Sequence, residues 1–89
     1  MKTIYKYSID PLFRTMLPEG AKVLSVGSQG SGMFLWALVD PNAPKVERTF
    51  DVYGTGHTVD YHDGMEFIGT VMMEGGALVF HVFENVGKV

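Results

Sequence analysis

The sequence predicts an all-β fold, mainly antiparallel, closed as a small barrel or a two-sheet sandwich of about six to seven strands with little or no helix. Three observations predict it. Short runs rich in β-branched and aromatic residues recur along the chain, and several alternate with period two. Gly and Pro separate those runs at short intervals. Helical periodicity is missing except near Pro11.

Thr3–Ile9 alternates, with Thr3, Tyr5, Tyr7 and Ile9 on one face and Lys2, Ile4, Lys6 and Ser8 on the other. Asp10-Pro11 breaks it. Leu12–Leu17 reads as a short strand or irregular structure, the alternative being one helical turn with Asp10 as cap and Pro11 at its first position. Pro18-Glu19-Gly20 reads as a turn with Pro18 at its second position. Lys22–Ser28 is a strand with Val23, Ser25 and Gly27 opposite Leu24, Val26 and Ser28, and Gln29–Gly32 is a hairpin loop. Met33–Asp40 is nearly continuous in apolar residues, so it is expected to be central and covered on both faces, with Trp36 in the core.

Asp40–Pro44 is a loop. Val46–Tyr53 reads as one strand, with Val46, Arg48, Phe50 and Val52 on one side and Glu47, Thr49, Asp51 and Tyr53 on the other. Gly54-Thr55-Gly56-His57 frees the backbone from the strand. Val59–Gly64 is polar and turn-rich. Met65–Met73 and Ala77–Glu84, joined by Glu74-Gly75-Gly76, form a hairpin.

Length and composition narrow the function classes. At 89 residues the chain is expected to be one domain, 1–89, and such a small domain gains from oligomerisation when its core is limited. There is no cysteine, which removes disulfides, thiolate zinc sites and cysteine nucleophiles and fits a reducing compartment. The formal charge is −3 with only seven Lys and Arg, singly scattered. A nucleic-acid partner is therefore not expected, because phosphate neutralisation requires a basic stripe. The apolar runs Met33–Val39 and Ala77–Phe83 are too short to span a bilayer, and the N-terminus carries no signal-peptide pattern. The reading is cytoplasmic.

No catalytic constellation is found: Ser8, Ser25, Ser28 and Ser31 have no histidine in a recognisable motif, and no Gly-x-Ser-x-Gly elbow occurs. The expectation is that the chain is not an enzyme and uses no cofactor. His57, Asp60 and His62 are ligand-type residues, but they match no metal-binding spacing, and a polar loop between strands accounts for them. His81 alternates with Val79 and Phe83 and is expected to be packed, or paired across the hairpin. Gly54-Thr55-Gly56-His57 can form an anion-binding nest of backbone amides, or serve as a plain turn. Arg48 interrupts an apolar strand face, which demands either a carboxylate partner or an anionic ligand. Trp36, Tyr5, Tyr7, Tyr53 and Tyr61 supply rings able to stack on a base, and Met33, Met65, Met72 and Met73 an adaptable apolar surface.

Taken together, Leu17–Val26, Leu35–Asp40, Arg48-Thr49-Phe50, Gly54–His57, Phe67–Val71 and Leu78–Glu84 resemble an uncharacterised family of small proteins common in bacteriophage and prophage genomes. The resemblance covers nearly the whole chain and is loosest over Ile9–Met16 and Gln29–Gly32. It implies a phage-type accessory protein in a bacterial cytoplasm and carries no residue-level mechanism.

The leading functional expectation is a non-catalytic, homo-oligomeric ligand-binding module that sequesters a nucleotide-derived immune signal of the host. Its site would comprise Arg48, Gly54, Thr55, Gly56 and His57: the arginine meets phosphate or ribose, the backbone amides hold an anion and His57 donates a hydrogen bond. The alternative is a protein–protein interaction module acting on a host or phage protein through its apolar strands and strand edges.

Overall fold

A computed structural model of the chain describes residues 1–10 and 15–86. It is all-β: eight strands form three antiparallel sheets, and the described helical structure is one 3₁₀ turn at Glu74–Gly76. The strands are β1 (Thr3–Ser8), β2 (Thr15–Pro18), β3 (Lys22–Gln29), β4 (Gly32–Val39), β5 (Lys45–Arg48), β6 (Phe50–Gly54), β7 (Met65–Met73) and β8 (Leu78–Asn85). The sheet orders are β1-β4-β3, β2-β5 and β6-β8-β7. The Leu12–Leu17 expectation falls partly outside the described residues, and its described end is strand β2.

The core lies between the inner faces of the two three-stranded sheets and is closed by β2. Leu35, Ala37 and Val39 of β4, Leu17 of β2, Val71 of β7 and Val82 of β8 are all buried within one apolar cluster, joined by Ile9 and Ala21. The sheets meet most closely where β3 passes β7. There Gly69 gives room to the Val26 methyl group, since a Cβ at Gly69 would lie 2.9 Å from Val26 Cγ2. A hydrogen bond from the Ser28 hydroxyl to the Met72 carbonyl, 3.1 Å, ties the same two strands.

Two bulges set which side chains face inward. Pairing of β3 with β4 shifts between Val23 and Ser25. As a result Val23 and Val26, which strict alternation puts on opposite sides, both reach the core-facing side opposite Ala37 and Leu35. Pairing of β7 with β8 shifts between Phe67 and Gly69, leaving Ile68 as the extra residue.

Three expectations are refined. Val46–Tyr53 is two strands: β5 pairs with β2 and β6 pairs with β8, and the chain changes sheets at Thr49. Pro18 opens its turn at the first position, with the Ala21 amide donating to the Pro18 carbonyl at 3.1 Å. β4 is central in its sheet, but Phe34, Trp36 and Leu38 lie outside the core cluster and remain half-buried. The two rings are shielded by their own sheet: Trp36 overlies Gly27, and the Lys6 ammonium sits 4.7 Å from the Phe34 ring centre. Among the described residues no helix is long and apolar enough to cross a membrane.

Candidate functional site

Arg48 ends β5, close to where the chain enters the second sheet. Its Nε and Nη2 donate to the two carboxylate oxygens of Glu84 at 2.5 and 2.8 Å, and Nη1 donates to the Ala21 carbonyl at 2.6 Å. The side chains of Arg48 and Glu84 are only 20% and 6% exposed, so this bidentate pair is shielded from solvent screening. The hydrogen bonds to Glu84 push the Arg48 pKa upward, against the opposing effect of burial, with Glu66 adding a smaller attraction. The arginine therefore has a protein partner for its fork. A hollow of about 330 Å³ lies beside it, lined by Glu47, Arg48, Thr49, Glu84, Asn85 and Val86.

The Gly54–His57 segment lies at the far end of β6. Gly54 pairs with Phe80, while Phe50 pairs with Glu84 four residues away on β8, a separation of about 13 Å along a strand. The fold thus places Arg48 before one end of β6 and the glycine turn at the other. Within the turn the His57 amide donates to the Gly54 carbonyl at 3.1 Å and the Thr55 amide donates to the Val79 carbonyl at 3.2 Å. Those two N–H groups are engaged in closing the turn and joining it to β8. The His57 ring folds back onto Gly54, 2.9 Å from where a Cβ would stand. A smaller hollow of about 230 Å³ adjoins it, lined by Gly54, Thr55, His57 and Ala77–Phe80. Among the described residues no group of three or more His, Asp or Glu side chains is placed to hold a metal ion; His62 Nδ1 instead accepts from the Gly64 amide at 3.2 Å.

The outer face of the β6-β8-β7 sheet brings together residues that the sequence scatters. Phe83 is its hub. Tyr53 of β6, Tyr61 of the following loop and Phe67 of β7 meet it edge-on, with ring centres 5.9, 6.2 and 5.4 Å away. Edge-to-face geometry joins the positive rim of one ring to the negative face of another. Tyr61 and Phe67 nevertheless remain 67% and 58% exposed, so the cluster presents open ring surface. One pair further along β8, His81 is held by Thr55 Oγ1 at 2.7 Å and Thr70 Oγ1 at 3.0 Å, which ties the ring to β7 and to the residue that follows β6.

Carboxylates edge this cluster. Asp51 stands opposite Phe83 on β6. The Tyr53 phenol is pushed up in pKa, first by burial and then by the negative charges of Asp51 and Asp60, which are within electrostatic reach of its hydroxyl. Sequence reasoning singled out Tyr53 and Tyr61 but not Phe67, Phe83, Asp51 or Asp60 as parts of one surface. The signal was the shared phase of Asp51/Tyr53 and His81/Phe83, usable only once strand register is known.

A family model covers residues 1–88, that of a domain of unknown function, DUF7352. The chain belongs to that family. No curated protein and no solved structure matches it. The DUF7352 assignment spans all the described elements and brings no activity or ligand with it.

Proposed function

We propose that this DUF7352 chain is a non-catalytic binding module whose recognition surface is the outer face of β6, β8 and β7, and whose partner is a polypeptide segment bearing Lys or Arg. The observation that supports it is the Phe83-centred ring cluster with Asp51 and Asp60 beside it. Exposed rings attract cations through their faces, by roughly 0.5–1 kcal/mol each at a solvent-facing site. Adjacent carboxylates add charge-assisted pairs to the same cations. The same negative charges repel phosphate, so this face suits a basic peptide better than a nucleotide. In its setting the protein acts as a phage-type accessory factor in a bacterial cytoplasm, engaging a host or phage protein.

A second reading keeps the nucleotide-derived ligand, now at the hollow beside Gly54–His57. This reading does not use Arg48, whose fork is paired with Glu84.

A peptide titration and a nucleotide titration test the two readings. Labelled peptides containing Arg, Lys, Leu and Tyr are titrated with the protein, alongside counterparts in which Glu replaces the basic residues. The cationic set is expected to bind and to weaken with added salt. Affinity should fall about tenfold, or 1.4 kcal/mol, in Tyr61→Ala/Phe67→Ala and in Asp51→Asn/Asp60→Asn, with the far-UV spectrum unchanged. Equal binding of both peptide sets would remove the proposal. Saturable heat from a nucleotide, abolished by His57→Ala, would favour the second reading.

A further inference from the structure

Among the described residues, strand β1 is an unguarded sheet edge. Among the described elements it pairs only with β4, and Ile4, Tyr5, Lys6 and Ser8 are exposed. Edges are sites of strand addition unless they are short, bulged, covered, or protected by Pro or an outward charge. The other described edges have such features. β3 is bulged at Leu24 and lies against β7, and β7 is bulged at Ile68. β2 and β5 have four residues each, with Pro18 in β2, and β6 has five. β1 runs six residues without a bulge or proline. Its one cation does not guard it. The Lys6 ammonium reaches back across the sheet to Gln29 Oε1 at 2.8 Å and lies over Phe34.

The hydrogen-bonding phase of this edge follows from one contact. The Ile9 amide donates to the Met33 carbonyl at 2.9 Å, so by alternation the odd residues of β1 bond to β4. The N–H and C=O groups of Ile4, Lys6 and Ser8 therefore point outward.

We propose that β1 pairs antiparallel with β1 of a second copy across a two-fold axis at Tyr5, joining two three-stranded sheets into one of six strands. The choice of a second copy and of this register rests on self-complementarity. Residues directly opposite must share a face, so the paired numbers must sum to an even value. A sum of twelve sets Lys6 against Lys6, and a sum of eight sets Lys2 against Lys6; like charges directly opposite are destabilising. A sum of fourteen leaves only three pairs within the strand. A sum of ten pairs Thr3 with Tyr7, Ile4 with Lys6 and Tyr5 with Tyr5 of the second copy. The Ile4–Lys6 pairs then carry the backbone hydrogen bonds, in the phase already fixed by Ile9. The lysine stem packs on the isoleucine while each ammonium stays directed toward its own Gln29.

The absence of native cysteine makes the test clean. At Tyr5 the two backbones form a non-hydrogen-bonded pair with Cα atoms about 4.5 Å apart, within the range a disulfide spans. Light scattering of the wild-type chain is expected to give about twice the chain mass of 9.8 kDa. The Tyr5→Cys variant should convert to a covalent dimer under glutathione disulfide, whereas Met72→Cys, exposed on the other sheet, should stay monomeric on a reducing-agent-free gel. Ile4→Pro deletes an outward N–H and should halve the scattered mass while keeping the β-sheet spectrum. A wild-type monomer overturns the proposal, as does a dimer in which the Tyr5→Cys variant fails to cross-link while the Met72→Cys variant succeeds. The cross-linking result stands even if Ile4→Pro does not fold.

Discussion

At the scale of single residues, Arg48 and Glu84 dominate what can be tested. Two charges with little solvent contact are bound by two hydrogen bonds, and the guanidinium uses a further N–H on the Ala21 carbonyl. Removing one partner strands the other charge where water reaches it poorly. Arg48→Met or Glu84→Leu alone should therefore cost about 3 kcal/mol in urea unfolding, at the low end for a buried pair because Arg48 keeps some exposure. The double substitution should recover most of that loss, since replacing both charges with apolar groups removes their desolvation as well as their attraction. Arg48→Lys should remain destabilised, because an ammonium cannot reproduce the planar fork that meets both oxygens of Glu84. If the double variant is as unstable as the sum of the singles, the pair is not coupled in the way the geometry implies. The sequence flagged Arg48 through its position on an apolar face, and left two outcomes open there. Choosing between them required knowing that Phe50 stands opposite Glu84 on β8, a pairing that spans a long stretch of intervening chain.

Among the elements, the bulges explain most of what the sequence conceals. The strands themselves are legible because alternation and Gly/Pro punctuation are local properties, as in β7, the turn at Glu74–Gly76 and β8. The sheet change at Thr49 is not, since Val46–Tyr53 alternates without interruption and only tertiary pairing divides it. The ring cluster is hidden for a related reason. Regular pairing from Met73↔Leu78 through Gly69↔Val82 would set Phe67 against Glu84; the extra residue at Ile68 moves it opposite Phe83 instead. A single-residue slip thus decides whether an aromatic pair exists. The same stretch supplies a test of how the sheets are joined. Gly69→Ala would press a Cβ against Val26 Cγ2 at 2.9 Å, and a β-branched side chain has little freedom to turn aside. A loss of about 1–2 kcal/mol is expected. Val26→Ala in the same chain should return part of it, because the new methyl then fills the space the valine vacates. Additive losses in the double variant would show that β3 and β7 do not bear on each other at this point.

For the whole molecule the governing fact is size. Among the described residues nine apolar side chains are buried as the core, in a domain short enough that surface still claims much of the chain. Meanwhile Ile4, Tyr5, Phe67, Met72 and Tyr61 remain exposed. Two of these, Ile4 and Tyr5, lie on the open edge, and the others belong to the second sheet and the loop beside it. Further exposed apolar side chains, Met16 of β2 and Leu24 of β3 among them, lie outside both regions. If β1 pairing is real, folding and association are linked, and the thermal midpoint must depend on protein concentration. Each tenfold rise in concentration adds about 1.4 kcal/mol to a dimer. Spread over the unfolding entropy of two such chains, that corresponds to a midpoint shift of about 3–4 °C. Ile4→Pro should abolish the dependence while lowering the midpoint, whereas Phe67→Ala should leave it intact. A midpoint independent of concentration in the wild-type chain would place all of its stability within one copy. The exposed edge of β1 would then be left with no role in holding this fold together.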